Sequence, residues 1–141
     1  VGGELYGSGS NRHNKPWSVG ITNPLKTGSD ARFSRVITLE NRAIATSGDY
    51  RNFFEFRGRV YSHIIDPKTG FPVDNQVVSA SVIAATCTFA DALATALMVM
   101  DPAESLSLVN RLDDVECLII RKTPDGFTES ASRSFHSFVQ P

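Results

Sequence analysis

The stretch Thr86 to Met100 constrains this chain more than any other, because it reads as a helix that is apolar on nearly every side. A helix of that kind is predicted to be buried. Within it, Thr88, Asp91 and Thr95 are spaced three and four apart and fall along one stripe. A carboxylate in such a place must find a partner, since an unpaired buried charge is costly. Two partners fit the spacing. Thr88-Phe89-Ala90-Asp91 has the form of a capping box, with Thr88 as N-cap and Asp91 at the third helical position. Alternatively, the Asp91 carboxylate and the Thr95 hydroxyl, one turn apart, offer two oxygens to a hard cation such as magnesium. That ion keeps waters and borrows further oxygens from a substrate phosphate. A cap has no use for Thr95, and a β-branched hydroxyl residue is a poor choice for a helix interior. Its local option is a bond from its hydroxyl back to the Asp91 carbonyl.

A second segment, Tyr61 to Pro72, begins as a strand with β-branched residues at its centre. Asp66-Pro67-Lys68-Thr69-Gly70 follows as a tight turn. Asp accepts from the backbone, Pro sets the next dihedral and Gly takes the left-handed position. Turn chemistry therefore accounts for Asp66, Pro67 and Gly70. His63 has no such account. It is either a structural hydrogen-bonder at a strand end or, where a reactive group binds nearby, a base.

Ser62-His63-Ile64-Ile65-Asp66-Pro67-Lys68-Thr69-Gly70-Phe71-Pro72, followed by Ala90-Asp91-Ala92-Leu93-Ala94-Thr95-Ala96-Leu97, closely resembles the FAD:protein FMN transferase family, also called the ApbE flavin transferases. Val1-Gly2-Gly3-Glu4, Lys15-Pro16-Trp17-Ser18-Val19-Gly20-Ile21 and Thr46-Ser47-Gly48-Asp49-Tyr50-Arg51-Asn52 resemble further segments of that family, in the same order. Each motif is weak alone; five in series are specific. The resemblance implies a magnesium-dependent transfer of FMN from FAD to a Thr or Ser hydroxyl of a target protein, with release of AMP. It implies Asp91 and Thr95 as metal ligands and His63 as the group that accepts or orients the hydroxyl proton. Ile65, Ser47 and Gly48 are then contacts to FAD, and Asp66 shapes the turn rather than binding metal. It also implies an upstream half, with an Ala-Lys-Gly motif at the metal. The chain is accordingly expected to be the C-terminal portion, inactive by itself. Ala94 stands where some relatives carry an additional acid before the metal-binding Thr. The location implied is the bacterial periplasm or the outer face of the inner membrane, through a lipid anchor.

Composition narrows the class without naming it. With 141 residues the chain is expected to form one domain and to bury roughly two-thirds of its unfolded surface. A net charge of -1 gives no sign of a nucleic-acid surface. No apolar run approaches the ~20 residues needed to span a bilayer. Cys87 and Cys117 are too far apart for a local zinc motif and read as small apolar residues.

The pattern along the chain predicts mostly strands, with helices clustered late. Strands are expected in Trp17 to Ile21, in Val77 to Ala84 and in the segment from Gly2, which ends in the loop Gly7-Ser8-Gly9-Ser10, and a further loop is expected from Pro24 to Asp30. Hairpins are expected for Ser34 to Leu39 with Arg42 to Thr46 across Glu40-Asn41, for Phe53 to Phe56 with Arg59 to Ile65 about Arg57-Gly58, and for Val115 to Arg121 with Phe127 to Ser130. Asp101-Pro102-Ala103-Glu104 opens a second helix with Asp101 as N-cap, Pro102 at the first position and Glu104 completing a capping box. Ser134 to Val139 is expected as a short final strand. The fold class is α+β, two helices on a largely antiparallel sheet.

Other polar groups have ordinary readings. Ser47-Gly48-Asp49-Tyr50 is either a loop approaching a ligand or a turn closing a hairpin. Tyr50, Phe53, Phe54 and Phe56 suit a core or a flavin ring. Arg57, Arg59 and Lys68 suit solvent or a phosphate. His13 and His136 read as solvated. Three functions remain open: the flavin transferase, a magnesium-dependent FAD pyrophosphatase in which water replaces the target hydroxyl, and a non-catalytic piece that binds flavin or protein.

Overall fold

The structure, a computed structural model, describes residues 3–24, 33–49, 53–56 and 58–140, and excludes the side chains of residues 53–56, 59 and 60. The expectations placed on Val1, Gly2, most of the Pro24–Asp30 loop, Tyr50, Arg51, Asn52 and Arg57 lie outside the described residues. So do those for the Phe53, Phe54, Phe56 and Arg59 side chains.

Period-two alternation builds most of the molecule. Five antiparallel strands form the main sheet in the order β1 (Leu5–Gly7), β4 (Arg42–Gly48), β7 (Val77–Ala84), β8 (Glu116–Thr123) and β9 (Gly126–Ala131). Two separate ribbons pair β2 (Trp17–Thr22) with β3 (Phe33–Leu39), and β5 (Phe53–Phe56) with β6 (Arg59–Ser62). Helices α1 (Cys87–Val99) and α2 (Pro102–Val109) follow β7. The α+β class holds.

Each central strand divides its residues between two cores. Ala43 and Ala45 of β4, Ala80, Val82 and Ala84 of β7, and Cys117 and Ile119 of β8 share one buried cluster with Ala90, Ala94, Leu97 and Met98 of α1. The intervening Ile44, Ile83, Leu118 and Ile120 turn to the opposite face. There they meet Ile21, Ile37 and Leu39 of the β2–β3 ribbon, and Phe135. Helices therefore cover one face of the sheet and a ribbon the other. A register shift between Val77 and Ser79 lets Val77 join the helical side while Ile83 faces the ribbon.

Four expectations are corrected. The residues of β3 and β4 do not form a hairpin: β3 pairs with β2, and β4 with β1 and β7. Asn41, at φ 52°, turns the chain from one sheet to the next, its N–H donating to the Gly7 carbonyl at 2.6 Å. The first strand begins later than expected: among residues 3–10 it is Leu5–Gly7, with the loop following. The segment Ser134 to Val139 holds a 3-10 helix, Phe135–Phe138, in place of a strand; its one β-bridge to the β2–β3 ribbon is Val139 to Ile37, beside the packing of Phe135 and the bond from Thr38 Oγ1 to the Phe138 carbonyl at 3.2 Å. Finally, α1 is not buried all round. Ala90, Ala94, Leu97 and Met98 form its buried stripe, whereas Phe89 is 46% exposed and Ala92, Thr95 and Ala96 are exposed. The start of helix α2 matches its expected cap: the Asp101 carboxylate accepts from Ala103 N at 2.8 Å and Glu104 N at 3.4 Å, with Pro102 in the first turn; the Glu104 carboxylate does not return the bond that a full capping box requires. Among the described residues no helix is long and apolar enough to cross a membrane.

Candidate functional site

The start of α1 decides what Asp91 is free to do. Thr86, not Thr88, is the N-cap: its backbone is extended (φ -134°, ψ 150°) and its hydroxyl accepts from Phe89 N at 3.3 Å. The helix begins two residues earlier than a cap at Thr88 requires. Asp91 therefore lies beyond the first turn, where the backbone N–H groups are already bonded within the helix. Capping has no claim on its carboxylate, which is half-buried on the flank of the Ala90–Ala94 stripe.

Thr95 follows one turn later on the same flank, its Cβ roughly 5–6 Å from that of Asp91 by helical geometry. Its Oγ1 lies 3.0 Å from Ser47 Oγ. Strand β4 delivers Ser47 to this point. Ala43, Ala45 and Ser47 alternate onto the helical side, and Ser47 is the polar member of that row. Gly48 ends the strand, opposite Ser79 of β7. Two oxygens on one helix flank, at its solvent edge, suit a hard cation that retains waters. No group of three or more His, Cys, Asp or Glu is clustered among the described residues, so a thiolate- or histidine-rich centre does not form there.

Asp49 follows Gly48. Its N–H donates to the Val78 carbonyl at 3.2 Å. Burial pushes its carboxyl above the ordinary value of 3.8, opposed by its own backbone N–H and by the positive charges of His63 and Lys122. Asp49 also lines a cavity of about 300 Å³ together with Ser62, Ile64, Asn75, Met98 and Lys122. Asp91, Thr95 and Ser47 are not among its lining residues. The cavity and the oxygen pair are thus separate places, joined through the Ser47-Gly48-Asp49 run at the end of β4.

His63 follows the last residue of β6 and is exposed. The chain beyond it is tightly built. Asp66 accepts Gly70 N at 2.8 Å through its carbonyl and Lys68 N at 2.8 Å through its carboxylate. Gly70 takes φ 73°, the left-handed turn position. Ile65 bridges Pro72, and Val73 N donates to the Ile64 carbonyl at 2.9 Å. The carboxylate of Asp66 is engaged in the turn, as its sequence context predicts. Ile65 and Phe71 stand out of this turn, 48% and 72% exposed.

The structure brings Ser47 to Thr95 and places His63 within electrostatic reach of Asp49. The Ser47–Thr95 contact joins a strand to a helix and has no signature in the local sequence. Asn75 was not anticipated either. Its amide donates to the carbonyls of Met98 at 2.9 Å and Met100 at 3.2 Å, closing the end of the helix that carries Asp91 and Thr95.

Comparison with known proteins gives the family. The model of the ApbE family matches residues 1–119. The chain is 45% identical over 139 residues to the FAD:protein FMN transferase of Vibrio cholerae, covering 99% of this chain and 41% of that protein. For the FAD:protein FMN transferase of Haemophilus influenzae the figures are 39% over 140 residues, 99% and 40%. The chain thus spans about two-fifths of the length of these curated relatives. Among solved structures, flavin transferase ApbE from Vibrio cholerae superposes with a TM-score of 0.79 at 43% identity, over 98% of this chain and 42% of that one. The ApbE protein of Thermotoga maritima gives a TM-score of 0.81 at 32% identity, over 99% and 43%. A family match over most of the chain, with the same fold at these identities, shows that the chain belongs to the ApbE family.

Proposed function

We propose that this protein is an FAD:protein FMN transferase, moving FMN from FAD to a Thr or Ser hydroxyl of a target flavoprotein subunit and releasing AMP. The names of its relatives support the activity. The observation in this chain that carries it is Asp91: Thr86 caps the helix, so the carboxylate beside Thr95 is left to a ligand. Asp91 and Thr95 would hold a magnesium ion, and their oxygens fit its preference. When bound, the ion supplies neutralising charge at the FAD pyrophosphate.

The chain's own residues do the rest. His63 accepts the proton of the target hydroxyl, a contribution on the order of 10²–10⁴ in rate. The hydroxyl oxygen bonds to the FMN-side phosphorus, and the bond from that phosphorus to the AMP phosphate breaks. Gly48 and the exposed Ile65 contact FAD. The stiff turn from Asp66 to Gly70 fixes the backbone that carries Ile65 and follows His63. Sequence upstream of this region, as the longer relatives carry, is proposed to complete the FAD site. The 141 residues alone are then expected to bind FAD weakly, a point for titration calorimetry. The same reading places the protein in the periplasm or on the outer face of the inner membrane, lipid-anchored.

Incubation of the natural full-length protein with FAD, magnesium and a target flavoprotein subunit tests the proposal. Covalent flavin on the target, seen as in-gel fluorescence, is expected. Free FMN and AMP with an unlabelled target would instead show a pyrophosphatase, and no turnover would show a binding module. His63→Gln should slow transfer nearly as much as His63→Ala, with FAD affinity held. Restoration of the rate by Gln would remove His63 as the base.

A further inference from the structure

We propose that Ser47 is a positioning residue for the cation site: its oxygen accepts the Thr95 hydroxyl hydrogen and so turns the Thr95 lone pairs toward the ion. The inference rests on reading Asp91 and Thr95 as cation ligands. It goes beyond that reading by assigning Ser47 to the order of the site rather than to a direct FAD contact.

The geometry is a single close contact between distant parts of the chain, Ser47 Oγ to Thr95 Oγ1 at 3.0 Å. A threonine hydroxyl has one hydrogen and two acceptor lone pairs. In a helix that hydrogen ordinarily goes back to the carbonyl one turn earlier, which fixes the lone pairs without regard to any ligand. Ser47 offers a different acceptor, on the sheet side. With the hydrogen directed at Ser47, both lone pairs of Thr95 stay available. The opposite arrangement, Ser47 donating to Thr95, occupies one of them. A nearby cation repels the hydroxyl hydrogen and selects the first arrangement.

Ser47 is well placed to act as a fixed reference. It pairs across the sheet with Ala80, and Ala45, its predecessor on the helical side, is buried; both belong to the core under α1. Its backbone is thus held by the sheet, while its side chain emerges where that core meets solvent. An alanine there would complete the apolar row equally well but could not accept a hydrogen. Outer residues that orient ligands in this way change metal affinity by about 10–100-fold.

The test uses the natural full-length protein with FAD present and Mn²⁺ as the probe, its free concentration read by electron paramagnetic resonance. Ser47→Ala should weaken Mn²⁺ binding about tenfold, with an unchanged far-UV circular dichroism spectrum and unfolding midpoint. Ser47→Thr, which keeps the acceptor, should restore most of the affinity. In a Thr95→Ala background, Ser47→Ala should add nothing, since its effect passes through Thr95. Wild-type affinity in Ser47→Ala, with losses in Asp91→Ala and Thr95→Ala, would overturn the role of Ser47 and leave the cation site standing. An equal loss from Ser47→Ala with or without Thr95 would also overturn it. Wild-type affinity in all three single variants would remove the cation site itself.

Discussion

Asp91 and Asp101 belong to consecutive helices, and the two carboxylates are put to opposite uses. Asp101 precedes its helix and spends its oxygen on the free N–H groups of Ala103 and Glu104. Asp91 lies beyond the first turn of its helix, where no such groups remain, because Thr86 has taken the cap. Residue type is the same, and in the sequence each aspartate falls within a capping-box pattern, Asp91 at its end and Asp101 at its start. The difference is position relative to the first turn, and that decides whether an aspartate is structural or available to a ligand.

Substituting the two in parallel is the strongest attempt to break this contrast. Asp91→Ala in the natural full-length protein should abolish detectable FMN transfer and leave the unfolding midpoint almost unmoved. Asp101→Ala should cost about 1 kcal/mol of stability and leave transfer near wild type. Thermal unfolding and in-gel flavin fluorescence on both variants decide it, and an active but less stable Asp91→Ala protein would return that residue to capping. A second pair sharpens the same point with a smaller effect. Thr86→Ala should lose roughly 0.5–1 kcal/mol, while Thr88→Ala, exposed and outside the cap, should lose nearly nothing. Equal losses would place the start of the helix elsewhere.

Asp49 gives a third aspartate, neither cap nor ligand, and the smallest expected effect. Burial raises its pKa in the folded protein above 3.8. The folded state therefore holds this proton more tightly than the unfolded state. Stability from this group is present below pH 3.8 and lost as pH rises through the raised folded value. Asp49→Asn should accordingly raise the unfolding midpoint at pH 7 relative to wild type and leave it unchanged at pH 3. A fall at pH 7 would mean that the backbone N–H and the Lys122 charge outweigh burial.

Much of the fold was legible because alternation and capping are local. The eight residues of β7 and the Asp101–Pro102 start of α2 match their expected positions. Alternation reports which way a side chain points, not which strand lies beside it. That is why Ser34–Leu39 and Arg42–Thr46 suggest a hairpin although Asn41 sends the chain into another sheet. The shift of the cap from Thr88 to Thr86 has a similar origin. The capping-box pattern favours the Thr with an acid three places on, whereas the extended backbone following β7 and the burial of Ala90 and Ala94 set the true phase. Asp91, Thr95 and the Asp66–Gly70 turn were visible as chemistry in the chain. The neighbour that Thr95 finds in Ser47 was not, since only folding brings them together.

Small side chains line the contact between α1 and the sheet: Ala43, Ala45, Ala80 and Ala84 on one side, Ala90 and Ala94 on the other. Such a seam behaves as a ruler. On the β4 side the sheet contributes only the methyl groups of Ala43 and Ala45, so the seam sets how far the helix stands from β4. Enlarging any of these alanines by one or two carbons would cost about 1–3 kcal/mol and, through the backbone shifts that go with it, displace Asp91 and Thr95 relative to Ser47. Residues without a polar atom thus calibrate the distances on which a polar site depends.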